Sequence, residues 1–318
     1  MNQKHFDILD SDIFACNSLM KKSVVRAKLS LYGLQRYISD FIFRKSFSGR
    51  CLCEEEFNSI NLFLLNQGGT FKQYIYGICN RFCKIRGANV LVPGIGYGRN
   101  LAYLAAFKPS RIVCFDIFDY PEEWAYMKNE IYRSFGVEVD FYKGDFKSLP
   151  ANCEESFDLI VTDAVLEHVK DMPLFIDFSR KYLKDRGLFY ASFGPIWYGP
   201  GGDHLSWGRE GLFDHLLLPE EEYINRIRVR CADPEPDSAD GAFIAKNSLY
   251  SYLSVKDYLG AFVSSDFEKL LAYAKISTEA ISYLRKRPSV VELLNEKGVP
   301  LFDRFCSGIA LWMRKAVS

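Results

Sequence analysis

The segment Val90–Asn100, VLVPGIGYGRN, constrains this chain more than any other. A short apolar run ends in three glycines at alternate positions, Gly94, Gly96 and Gly98. A helical pattern, Arg99–Phe107 (RNLAYLAAF), follows at once. Glycine has no Cβ and takes positive φ at little cost, so a strand-to-helix turn of this kind lets a ligand lie against the backbone. A tight turn without a ligand is the alternative, although two glycines would suffice for it. A dinucleotide fingerprint needs G-x-G-x-x-G, with the third small residue packing helix on strand. Here Arg99 holds that place. No G-x-x-x-x-G-K-[ST] occurs, so the loop is not a P-loop. Asp116 ends the next apolar run about 20 residues on, where a carboxylate can hold ribose hydroxyls or simply cap a helix.

The surrounding pattern alternates strands and helices. Asn89–Pro93, Arg111–Phe115, Val137–Tyr142, Phe157–Thr162 and Leu188–Phe193 read as strands. Their near-continuous apolar runs suit a parallel sheet covered on both faces. Helices are expected over Thr70–Arg86, with Tyr74, Ile75, Ile78 and Phe82 inward, from about Asp119 (as N-cap) to Phe135, and over Met172–Lys184, stopped at Gly187. Leu31, Leu34, Ile38, Phe41 and Ile42 mark a helix in a lead-in over 1–70. Residues 194–250, rich in Gly, Pro, Trp and His, break the rhythm and read as an insertion. Leu253–Lys275 reads as a helix and Ser307–Lys315 as a final strand.

Composition narrows the partners. Of 318 residues, 40 are Lys or Arg and 40 are Asp or Glu, so the net charge is zero. That argues against a nucleic-acid binder, which needs clustered positive charge. There is no polybasic run for an anionic membrane surface and no apolar stretch of about 18 residues to span a bilayer. The polar, acidic N-terminus does not read as a signal peptide. Nine scattered cysteines read as reduced thiols of a cytoplasmic protein. Cys51, Cys53, Cys79 and Cys83 could be imagined as a zinc set, but the spacing is not that of a zinc knuckle, and buried helical thiols are the simpler reading. Aromatic residues make up 15% of the chain, enough for a large core or an aromatic-lined pocket.

Four motifs in order give a resemblance. VLVPGIGYG, VCFD, GDFKSLP and FDLIVTDAVLEHV followed by RKYLKDRGLFY resemble the class I S-adenosylmethionine-dependent methyltransferases, specifically the small-molecule subgroup. The likeness covers roughly Ile75–Phe193 and the closing strand near Ile309–Lys315. It implies a Rossmann-like α/β fold with a seven-stranded sheet in the order 3-2-1-4-5-7-6, whose sixth strand is not evident in the sequence. It implies S-adenosylmethionine as cofactor: Gly94, Gly96 and Gly98 under the amino-acid end, Asp116 on the ribose, Asp145 facing the adenine amino group with Phe146 beside the ring. One departure stands out. The family usually has an acid two residues before the first glycine, where this chain has Val92. Another acid, such as Asp163, could serve the cofactor's amino group. The departure also motivates a non-catalytic methyltransferase-like binding protein as an alternative. A nicotinamide-dependent oxidoreductase is a further alternative, against which Arg99 argues.

The implied domain plan is an N-terminal helical cap (1–70) and a methyltransferase domain (71–318) with an acceptor lid at about 194–250. The implied reaction is methyl transfer to a small molecule, at the oxygen of a sugar or secondary metabolite. The sulfonium is already activated, so the protein has mainly to align the reactants, and a base helps when the acceptor is a hydroxyl. Histidine suits that task. His204, in GPGGDHLSW beyond the fifth strand, is the first candidate; His168, in Leu166-Glu167-His168, and His215, in FDHLLLP, follow. Trp197, Tyr198 and Trp207 could line the pocket. The pairs Asp203-His204 and Asp214-His215 could hold a divalent cation, but the expectation is no metal. The sequence sets no oligomeric state.

Overall fold

The structure, a computed structural model, describes residues 71–98, 101–145, 149–150, 153–206, 211–231 and 249–317. The expected cap over 1–70, Cys51, Cys53, Thr70, Phe146 and Trp207 lie outside these residues. The strands form one seven-stranded sheet in the order β3-β2-β1-β4-β5-β7-β6, as the resemblance implied. The chain divides into two compact units: Met1–Val161 with Lys181–Phe189 and Val317–Ser318, and Thr162–Arg180 with Tyr190–Ala316. Among the described residues, no helix is long and apolar enough to cross a membrane.

In the first unit, α1 (Phe71–Phe82) precedes β1 (Asn89–Pro93), α2 (Leu101–Ala105), β2 (Arg111–Asp116), α3 (Pro121–Phe135) and β3 (Glu138–Lys143). β1 pairs in parallel with β2, Val92 opposite Cys114, and with β4, Leu91 opposite Ile160; β2 pairs in parallel with β3. Val90, Leu91, Ile112, Val113 and Cys114 are fully shut off from solvent, which is why these strands read as unbroken apolar runs. α1 stops at Phe82, short of the expected Arg86. It buries Ile78 as expected and also Tyr76 and Cys79, while Phe82 is only half-buried.

α3 has Pro121 in its first turn with Glu122 and Glu123, and Gly136 closes it at φ +67. Its N-cap is Tyr120, which makes no side-chain capping bond. The expected cap, Asp119, lies one residue earlier and faces Lys143 across 3.6 Å. Trp124, Met127 and Ile131 form its buried stripe.

β4 (Phe157–Asp163), a 3-10 turn (Leu166–His168), α4 (Met172–Tyr182) and β5 (Leu183–Phe193) follow. α4 ends at Tyr182 and the chain extends at once, so Gly187 sits inside β5 and does not stop the helix. A Cβ there would come within 2.9 Å of the Lys184 carbonyl, so close packing explains this glycine.

The second unit continues through α5 (Asp214–Leu217), α6 (Glu220–Cys231), α7 (Val255–Val263), β6 (Phe267–Ile276), α8 (Thr278–Arg285), α9 (Pro288–Glu296) and β7 (Cys306–Lys315). Here the sequence expectation is corrected. The single helix over Leu253–Lys275 is a nine-residue helix, a turn and the missing sixth strand. Ser254 and Asp257 start α7 with a reciprocal capping box. FEKLLAYAKI is rich in helix formers and lacks strict alternation. Its antiparallel pairing with β7, from Phe267 opposite Lys315 to Ile276 opposite Cys306, overrides that local preference. Between β6 and β7, α8 and α9 pack with Leu212 and Phe213 into a small apolar cluster.

Asp303 is buried and accepts the Val255 amide at 2.7 Å, and burial pushes its pKa up to about 6. A carboxyl raised above its unfolded value contributes stability that is present below about pH 4 and lost as pH rises through 6. The expected size is on the order of 2–3 kcal/mol. Asp303→Asn should therefore remove a fall in the urea-unfolding free energy between pH 4 and 7, and parallel curves for the two proteins would contradict this assignment.

Candidate functional site

The first unit carries the glycine loop at the carboxyl ends of β1 and β2. Gly94, Gly96 and Gly98 all have positive φ, +63, +55 and +86. The Gly94 amide donates to the Phe115 carbonyl at 2.8 Å, and the Gly96 amide donates to Asp116 Oδ2 at 2.7 Å. The Trp124 indole N–H donates to the Gly96 carbonyl at 2.7 Å. The loop is thus held through both the amide and the carbonyl of one residue, Gly96. A Cβ at Gly96 would meet nothing within 4 Å, so open space lies over it and only its backbone conformation demands glycine there.

Asp116 is buried, and its Oδ1 accepts the Phe118 amide at 3.0 Å. Both carboxylate oxygens are therefore oriented by backbone donors. Tyr97 and Tyr120 pack beside the loop with ring centroids 4.3 Å apart, and Trp124 stacks on Phe141 at 5.3 Å. Trp124 escaped the sequence reading; a tryptophan on the first turn of the helix after Asp116 was the signal. Asp145 is exposed, just after β3.

The second unit gathers the histidines. Asp163 ends β4, and Ala164 (φ +56) donates its amide to the Ser192 carbonyl at 2.7 Å. The turn that follows is fixed at each residue. The Tyr258 hydroxyl donates to the Leu166 carbonyl at 3.2 Å, the Ser251 amide to the Glu167 carbonyl at 2.9 Å, and the Gly194 amide to Glu167 Oε1 at 3.0 Å. His168 Nδ1 lies 2.6 Å from the Leu249 carbonyl. A carbonyl can only accept, so Nδ1 carries the proton and Nε2 keeps a lone pair. Burial lowers the pKa of His168.

His204 stands beside it, ring centroids 5.0 Å apart. Its backbone is left-handed (φ +62), which is uncommon outside glycine, and its amide donates to Gly201 at 2.9 Å. Its Nε2 is shut off from solvent and has no hydrogen-bond partner among the described residues. Burial, reinforced by His168, pushes its pKa down to about 3, so the ring is neutral at physiological pH.

The two Asp-His pairs do not act as pairs. Asp203 is fully buried and accepts from the Ser206 amide (3.0 Å), the Ser206 hydroxyl (2.8 Å), the Leu205 amide (3.2 Å) and the Tyr223 hydroxyl (3.1 Å). It shapes the loop. Asp214 takes Arg226 at 2.6 Å. His215 is buried, with Nε2 2.7 Å from the Trp197 carbonyl and its ring edge-on to the Trp197 indole. Burial lowers its pKa too. Trp197 also meets Tyr250 and Tyr252, at 4.7 and 4.8 Å. Tyr198 turns into the cluster around Leu212 and Phe213. Glu167, quoted in a motif but not singled out as a candidate, proves to be a buried carboxylate. Its place directly before His168 was the available signal.

Residues 91–191 match the family model described as a methyltransferase domain. Those residues carry a methyltransferase domain, set in a sheet with the strand order that the resemblance implied. Solved structures similar to it include an S-adenosylmethionine-dependent methyltransferase from Mesorhizobium loti. That protein is 17% identical, with 78% of this chain and 99% of that one covered and a TM-score of 0.44. Another is geranyl diphosphate C-methyltransferase from Streptomyces coelicolor A3(2), in complex with Mg2+, geranyl diphosphate and S-adenosyl-L-homocysteine. It is 11% identical, with 76% and 77% covered and a TM-score of 0.45. No curated protein sequence matches the chain.

Because nothing obstructs a Cβ at Gly96, Gly96→Ala should cost only the strain of a left-handed alanine, about 1–2 kcal/mol in urea unfolding. A loss beyond about 4 kcal/mol would mean that the loop is packed against something the geometry does not contain.

Proposed function

We propose that this methyltransferase acts on a small molecule, and that the methylated atom is a hydroxyl oxygen of a sugar or secondary metabolite. The glycine loop with Asp116 would take the cofactor, Asp116 holding the ribose hydroxyls and Asp145 and Phe146 the adenine. S-adenosylmethionine is the cofactor of this proposal, and Val92, buried in β1, offers no acid to its amino group. The histidines of the second unit would handle the acceptor.

The observation that carries the oxygen assignment is the pair His168 and His204. Both rings are held neutral by burial, and His168 is locked in the tautomer that leaves Nε2 basic. Lone pairs presented in a dry site serve an acceptor that must lose a proton as it takes the methyl group. A hydroxyl is such an acceptor. Trp197, Tyr250 and Tyr252 offer aromatic faces of the kind that pack on a sugar ring, and His215 positions Trp197 through its carbonyl. Residues 194–250 would form the acceptor lid. A cytoplasmic location is part of the same proposal.

Isothermal titration calorimetry with S-adenosylhomocysteine tests the cofactor half. The wild-type protein should bind one equivalent, and Asp116→Ala should weaken binding at least tenfold, about 1.4 kcal/mol. Equal affinity in the two would remove Asp116 from the ribose. Absence of binding to folded wild-type protein would remove the methyltransferase reading.

A further inference from the structure

We propose that Glu167, His168 and His204 form a binding site for a divalent metal ion of the zinc(II) class, with at least one coordination position left open. The available ligand atoms of these three side chains all lie within 4.8 Å of one another. Around a tetrahedral ion with bonds of about 2.1 Å, ligand atoms stand about 3.4 Å apart, so side-chain rotations that draw the three together by roughly an ångström complete the set.

Each member is prepared for that role. Glu167 is 2% exposed and its Oε1 is oriented by the Gly194 amide. His168 donates Nδ1–H to the Leu249 carbonyl, the outer-shell bond that fixes the tautomer of a ligating histidine and aims Nε2 at the metal. His204 keeps a buried Nε2 with no hydrogen-bond partner among the described residues, on a backbone in the left-handed region. A strained backbone costs on the order of 1–3 kcal/mol and persists where the surroundings hold it. Here the Asp203 network does so, through Ser206, Leu205 and Tyr223.

The chemistry of the set selects the ion. Two imidazole nitrogens and one carboxylate suit zinc and its neighbours better than magnesium or calcium, which prefer all-oxygen shells. Neutral rings are the protonation state that ligates. Three protein ligands leave a position for the acceptor's oxygen, and a bound cation lowers the pKa of a hydroxyl there. That last role rests on the function proposed above; the site does not.

The test uses full-length, chelator-treated protein and two metals. Zinc(II) calorimetry should give one equivalent bound, and cobalt(II) should give visible d–d absorption of a low-symmetry nitrogen–oxygen site. His204→Asn, chosen because asparagine tolerates the left-handed backbone, and Glu167→Gln, which keeps the acceptor for the Gly194 amide, should each weaken zinc at least a hundredfold. Circular dichroism should show both variants folded. Folded wild-type protein that binds neither metal, or variants that bind zinc as the wild type does, would overturn the proposal. S-adenosylhomocysteine binding, read in the same preparations, separates the two readings: zinc without it sustains the metal site alone, and the reverse sustains the cofactor site alone.

Discussion

The hydrogen bond from the Gly96 amide to Asp116 ties together everything in the first unit that concerns a ligand. It exists because β1 and β2 run in parallel and in register, so that their carboxyl ends, Pro93 and Phe115, arrive side by side. The loop leaving one strand then meets the carboxylate ending the other. Positive φ at Gly94, Gly96 and Gly98 lets the loop turn sharply there, and Trp124 anchors Gly96 by its carbonyl. A buried carboxylate with both oxygens already oriented would lose little freedom on meeting the ribose proposed for it. The buried strands of the parallel ladder are the rigid support for that geometry.

The second unit solves a different problem. It holds polar groups away from water, and those of the Leu166–His168 turn are met by partners brought in from other segments. Leu166, Glu167 and His168 are each fixed by a partner far away in sequence: Tyr258, Gly194 with Ser251, and Leu249. Asp203 spends its carboxylate on shaping its own loop. What is left over, a lone pair on each of two neutral imidazoles beside a buried carboxylate, is the part of this network with chemistry still to do. Such networks are costly when half satisfied, which is the reason to read the residue as a ligand site and not as an accident of packing.

Much of this was legible in the sequence. Local signals such as the apolar runs of β1, β2 and β4, the glycine spacing and the first-turn proline of α3 act over a few residues, and the structure reproduces them. The strand order came from the resemblance. Two kinds of feature were not legible. β6 was hidden because FEKLLAYAKI favours a helix locally and becomes a strand only by pairing with β7, forty residues away in places. The partnership of His204 with His168 was hidden because contact between a turn and a loop 36 positions apart depends on the path of the loop. The sequence offered Asp203 and Asp214 as partners by adjacency, and both turned out to be committed to neighbours of their own.

An experimental structure with S-adenosylhomocysteine bound measures the central claim most directly. The account predicts the ribose hydroxyls within hydrogen-bond distance of Asp116 and the amino-acid end lying over the Gly94–Gly98 backbone. A ligand bound elsewhere, with its ribose out of hydrogen-bond reach of Asp116, would contradict it.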